Sequence, residues 1–204
     1  MTDSVHEKWE NFLNPDVMRP TLIMTSLYVT AFEILKDTII SRVRDIYHTG
    51  WRDGVDLFSS NYKAKVLSRS TSTVHASLNW LQQAGAVDQA DIEGFKATKD
   101  LRNRLVHNLQ RLLNDGLPEE FPAQFGQLIT LLRKIELWFL MEVEIPTNPD
   151  FDGKDVDPNE VQPGSILILQ ILLEVSLGDK TSRNYFDEFT KRSPQPIEGT
   201  KIPQ

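Results

Sequence analysis

The chain has no cysteine among its 204 residues, which excludes disulfides, thiolate metal ligands and a cysteine nucleophile. Long apolar runs are also missing. The most hydrophobic stretch, Ile166 to Leu177, is interrupted by Gln170 and Glu174 and falls well short of the ~20 residues that span a bilayer. It reads as a core helix. Met1-Thr2-Asp3-Ser4 carries neither the basic nor the apolar region of a signal peptide, so the expectation is a cytoplasmic protein without membrane contact. No Gly-rich phosphate loop and no Gly-x-Ser-x-Gly elbow occurs, which leaves ATPase and hydrolase-elbow chemistry without support. His6, His48, His75 and His107 are scattered without the i, i+4 pairing of a zinc helix, and neither a metal nor a cofactor is expected. The segment from Asn148 begins like a calcium loop, with Gly153 in sixth place. Its twelfth position is Asn159 instead of a bidentate Glu, so a solvated acidic loop is the expectation. Excess positive charge is lacking too. Twenty-two Lys and Arg stand against 29 Asp and Glu, a formal net charge of −7, so any RNA contact has to be local.

What is present is the pattern of a helical protein. At 40% hydrophobic and 25% charged residues, the chain suits one globular domain, taken as residues 1–192 with a disordered tail over 193–204. Leu22, Leu27, Ala31, Ile34, Leu35, Ile39 and Val43 recur at three- and four-residue spacing and predict a long helix ending near Thr49-Gly50. A short helix is expected somewhere between Trp51 and Ser70. Ser70 to Ser72 caps a helix closed by Gly85, and Asp88 or Asp91 starts another that carries Phe95, Leu101, Leu105, Leu109 and Leu112 to Asn114. From Pro122 a further helix runs to about Glu144. Residues 146–163 read as an exposed loop, Ser165–Leu177 as the last core helix, and 184–190 as an extra turn. No strand pattern is expected. The fold class is all-α, a compact bundle of four to five main helices.

One constellation carries chemistry: Lys99-Asp100-Leu101-Arg102-Asn103-Arg104-Leu105-Val106-His107-Asn108. His107 exchanges a proton near neutral pH, while Arg102 and Arg104 are permanent cations suited to phosphate or to charge developing on it. RNA supplies its own nucleophile, the 2′-hydroxyl, so a protein that positions the backbone, moves a proton and offsets charge cleaves it without a metal. A looser Arg–His spacing also occurs at Arg42/His48 and Arg69/His75; the Asn that follows Arg102 singles out the third copy.

Arg102-Asn103-x-x-x-His107 resembles the Arg-Asn-x-x-x-His signature of the HEPN superfamily of all-helical domains. The resemblance implies an endoribonuclease acting as a toxin, in phage defence or in RNA processing. Two copies would meet as a homodimer with a composite active site. It also implies that His107 takes part in proton transfer, that Arg102 contacts the scissile phosphate, and that Asn103 orients one of them. Arg104, Arg111 and Lys99 are candidate RNA-binding residues beside this set. Some HEPN toxins continue His-x-Tyr, a tyrosine modified by a partner nucleotidyltransferase. Leu109 stands there in this chain, against that form of antitoxin control.

Helical geometry frames the alternatives. At ~100° per residue, Leu101, Leu105, Leu109 and Leu112 share one face, and Asn103, His107, Arg104 and Arg111 the other. Arg102 falls within the apolar arc, about 140° from His107. It either bends round to a groove or is held by a carboxylate such as Glu33, Asp37 or Asp100, for function or for folding alone. In the second case the protein is a non-catalytic helical interaction module or a regulatory partner. Trp80, Trp138, Phe139 and Phe95 read as core or dimer contacts, and Arg42, Arg44, Lys63, Lys65 and Arg69 as a charged helix face.

Overall fold

The computed structural model describes residue 9 and residues 12–178; the expected turn at 184–190 and the tail from 193 lie outside the described residues. Helices dominate, and the fold is all-α and compact. The long helix α1 covers Pro15–Asp45, a 31-residue span. Pro15 in its first turn and Asn14 as N-cap, accepting from the Asp16 amide at 3.0 Å, start it seven residues before the apolar periodicity begins. Its inner stripe of Tyr28, Leu35, Ile39 and Val43 is fully buried, and α3 (Thr73–Gln83), α4 (Gln89–His107) and α6 (Phe121–Phe139) pack around it. Leu78 and Leu81 from α3, Phe95, Leu101 and Leu105 from α4, and Leu128, Leu132 and Ile135 from α6 complete the core.

Two contacts fix α4, one at its start and one midway. Asp88 and Asp91 form a reciprocal capping box, at 3.0 and 2.8 Å, and Lys134 of α6 pairs with both carboxylates. Further along, the buried Tyr28 hydroxyl donates to the Thr98 carbonyl at 3.1 Å, tying α1 to α4, and burial pushes that phenol's pKa up. On the far side, Arg42 of α1 reaches Glu136 at 3.0 Å and also pairs with Glu144. Glu144 reaches Arg42 through a π-helical turn, Leu140–Glu144, that follows α6 and leads into α7 (Ile145–Thr147).

Four expectations need correction. A β-hairpin stands where no strand was expected: β1 (His48–Arg52) pairs antiparallel with β2 (Val55–Phe58). Asp53 and Gly54, at φ 53° and 78°, supply the two left-handed residues of a tight hairpin turn. Helix α1 therefore stops at Asp45. The expected short helix is α2 (Ser60–Lys65), with a single 3₁₀ turn at Leu67–Arg69. The helix expected to run through Leu112 is broken at Asn108 (φ −118°, ψ 28°), a poor helix former. After the break α5 (Leu109–Asp115) turns Leu112 into the core and leaves Leu109 exposed. Helix α8 (Gly164–Leu177), expected as a core helix, is only partly one. Among its described side chains Leu169 is buried and Ile166 packs against the core, while Leu167, Ile168, Leu172 and Val175 face outward. Among the described residues no helix is long and apolar enough to cross a membrane.

Tyr28→Phe leaves the packing intact and removes one buried hydrogen bond, a loss of ~1 kcal/mol. A melting temperature lower by ~2–4 °C is expected in a thermal scan.

Candidate functional site

Burial of Leu101 and Leu105, both fully enclosed, fixes the rotation of α4 and sends Asn103 and His107 toward solvent one turn apart. His107 is the last residue of α4 and is exposed; Asn103 is half-buried. Arg102, on the edge of the apolar arc, finds the carboxylate that its position demands. Its Nη2 donates to Glu33 Oε1 of α1 at 2.8 Å, and its Nη1 donates to Asn103 Oδ1 at 3.3 Å. Glu33 is also paired with Lys36, so one carboxylate serves two cations. The Lys36 hydrogen bond foremost, with the Lys36 charge and Arg102 adding to it, holds the Glu33 carboxyl below the usual glutamate range against the opposing effect of burial.

Arg104, three residues before His107 on the same helix, pairs with Glu120 at 2.6 Å, while Arg111 of α5 pairs with Asp115 at 3.2 Å. Two open grooves run along this side. One is lined by His107, Gln110, Arg111 and Asn114, and the other by Arg104, Asn108, Leu112 and Leu117. Among the described residues the side chain of Lys99, one turn before Asn103, forms neither an ion pair nor a hydrogen bond, and the same holds for that of Lys96.

The structure brings Arg102 and Asn103 into contact and sets His107 one turn further, at the helix end. It also brings in His75 of α3, which the sequence did not single out. Its ring packs edge-on against Phe95 with centroids 6.1 Å apart, and its Nδ1 lies 3.0 Å from the Ser72 hydroxyl. Burial, then Lys99 and Lys96, push the His75 pKa down. Lys96, Lys99, Asn103 and His107 follow one another at three- and four-residue steps, a polar stripe along α4 that the sequence spacing shows; no local pattern in the sequence links His75 to it. The other two Arg–His pairs are occupied elsewhere. Arg42 serves Glu136 and Glu144, His48 lies 2.9 Å from Asp56 in the hairpin, and Arg69 is bonded to Gln83.

Of the expected core aromatics, Phe95 and Phe139 are buried, and Trp80 and Trp138 meet edge-on at 6.3 Å, half-buried. In the acidic loop, Asn148 accepts from the Asp150 amide at 3.0 Å and Asp157 from the Asn159 amide at 2.8 Å, so these oxygens shape turns. Among the described residues no group of three or more His, Asp or Glu side chains could hold a metal ion. No family model, no curated protein and no solved structure matches the chain.

The Glu33 pairing has a pH signature. A carboxyl with a lowered pKa stabilises the fold above the usual glutamate value, near 4.5, and this contribution is lost as pH falls through the lowered value. Glu33 is 40% exposed, so its ion pairs contribute at most ~1 kcal/mol. Glu33→Gln should therefore melt slightly below wild type at pH 7 and converge with it as pH falls below the usual glutamate value, in thermal scans taken from pH 7 into that acid range.

Proposed function

We propose that the protein is a metal-independent endoribonuclease of the HEPN type, a toxin, phage-defence or RNA-processing effector that acts as a homodimer on single-stranded RNA. The observation that carries this is the Arg102–Asn103–His107 set at the exposed end of α4, with the guanidinium held by a carboxylate that a second cation shares. A fixed cation that is not fully neutralised suits a phosphodiester. In the reaction the 2′-oxygen attacks the adjacent phosphorus as a base takes its proton. The bond from phosphorus to the 5′-oxygen breaks, and an acid protonates that oxygen. The products are a 2′,3′-cyclic phosphate and a 5′-hydroxyl. His107 acts as base or acid, with the second proton handled by the other copy's histidine. Arg102 offsets charge on the pentacoordinate phosphorus, and Asn103 holds the guanidinium or the phosphate in place.

A second reading draws on the same ion pair. Because Arg102 bridges α4 to α1 through Glu33, it could serve the fold alone, in a helical interaction module or the regulatory partner of a toxin–antitoxin type system. RNA cleavage in EDTA, with a thermal melt on every variant, separates the two. Under the nuclease reading His107→Ala loses about 100-fold or more in rate. The side chain is exposed, so the melting temperature should move by no more than ~2 °C. Equal cleavage by wild type and His107→Ala, or none by a folded wild type, would remove the nuclease reading.

A further inference from the structure

Net charge is distributed unevenly about the motif. On the α5 side the two cations are matched, Arg104 by Glu120 and Arg111 by Asp115. On the α3 side Lys96 and Lys99 have no carboxylate partner among the described residues, and Glu33 is divided between Lys36 and Arg102. Asp100 stands one turn from Lys96 and is exposed, yet forms no ion pair with it. His75 closes this surface from α3. Its ring packs against Phe95, the neighbour of Lys96, while the Ser72 hydroxyl engages Nδ1 and so leaves Nε2 for another partner.

We infer that single-stranded RNA bound at the motif leaves it toward α3, its next phosphates lying over Lys99, Lys96 and His75, and not toward Arg104 and Arg111. This rests on the ribonuclease reading and adds a direction and a second phosphate subsite to it. One turn of α4, a rise of ~5 Å, separates Lys99 from Arg102 and Asn103, so adjacent cationic positions track a phosphate chain without the helix bending. An ion-paired arginine gives up its carboxylate to accept a phosphate, whereas an unpaired lysine gains the phosphate outright. That difference sets the direction.

The probe is a fluorescein-labelled 12-nucleotide single-stranded RNA, with binding read by anisotropy over a range of salt. The proteins are full-length wild type, Lys96→Ala/Lys99→Ala, His75→Gln and Arg104→Ala/Arg111→Ala, each checked for folding by circular dichroism. Losing two phosphate contacts at ~0.7 each should shrink the slope of log affinity against log salt by about 1.4 for the lysine pair. Affinity should fall about 10-fold or more at low salt. His75→Gln should weaken binding several-fold at every salt concentration with no change in slope, and the arginine pair should lose less than about 2-fold. Arginine variants that weaken binding as much as the lysine variants overturn the direction while leaving RNA binding in place. No binding by the folded wild type overturns both.

Discussion

Helix α1 can bury Tyr28, Leu35, Ile39 and Val43 only if three other helices cover one face of it along most of its length. That requirement organises the molecule. Helix α4 contributes Phe95, Leu101 and Leu105 to the cover and is locked in rotation by the Asp88–Asp91 box at its start and by the Tyr28–Thr98 bond midway. Once the rotation is set, Asn103 and His107 face water and Arg102 stands at the seam with α1. A guanidinium in a seam needs a carboxylate, and Glu33 is the one α1 offers. The geometry of the candidate site is thus a consequence of core packing, whatever chemistry it performs.

Much of this was legible. The 3.6-residue periodicity gave the main helices, Asp88 and Asp91 announced the start of α4, and the position of Arg102 inside the apolar arc required a partner among a few acidic residues, Glu33 included. The hairpin went unread because β1 is short and polar. Its sequence carries no alternation, and the informative signal was the Asp53-Gly54 turn. Helix α8 differs from its expected place for another reason. Its apolar composition resembles a core helix, but composition records what a helix is able to bury and not whether a neighbour is there to cover it. The break at Asn108 is hidden in the sequence, since Leu109 and Leu112 keep the spacing of the preceding helix while, of the two, Leu112 alone reaches the core.

The net charge of −7 bears on the account in a narrower way than its size suggests. Most acidic residues near the motif are committed: Glu33 to Lys36 and Arg102, Glu120 to Arg104, Asp115 to Arg111. What remains locally is Lys96 and Lys99 on α4, with Asp100 between them and the motif and His75 beside them, in a chain whose net charge otherwise repels polyanions. Under the proposed nuclease reading, such a surface would admit RNA at these lysines and disfavour indiscriminate adsorption.

The central claim is that the 2′-hydroxyl of the substrate is the nucleophile and that this helical end activates it. The most direct measurement compares a single-stranded RNA with the same sequence carrying 2′-O-methyl groups throughout, incubated with the protein in EDTA, with product ends determined by mass spectrometry. The account predicts cleavage of the first into fragments ending in 2′,3′-cyclic phosphate and 5′-hydroxyl, and an intact second. Cleavage of both at similar rates, or fragments with 3′-hydroxyl ends, would contradict it.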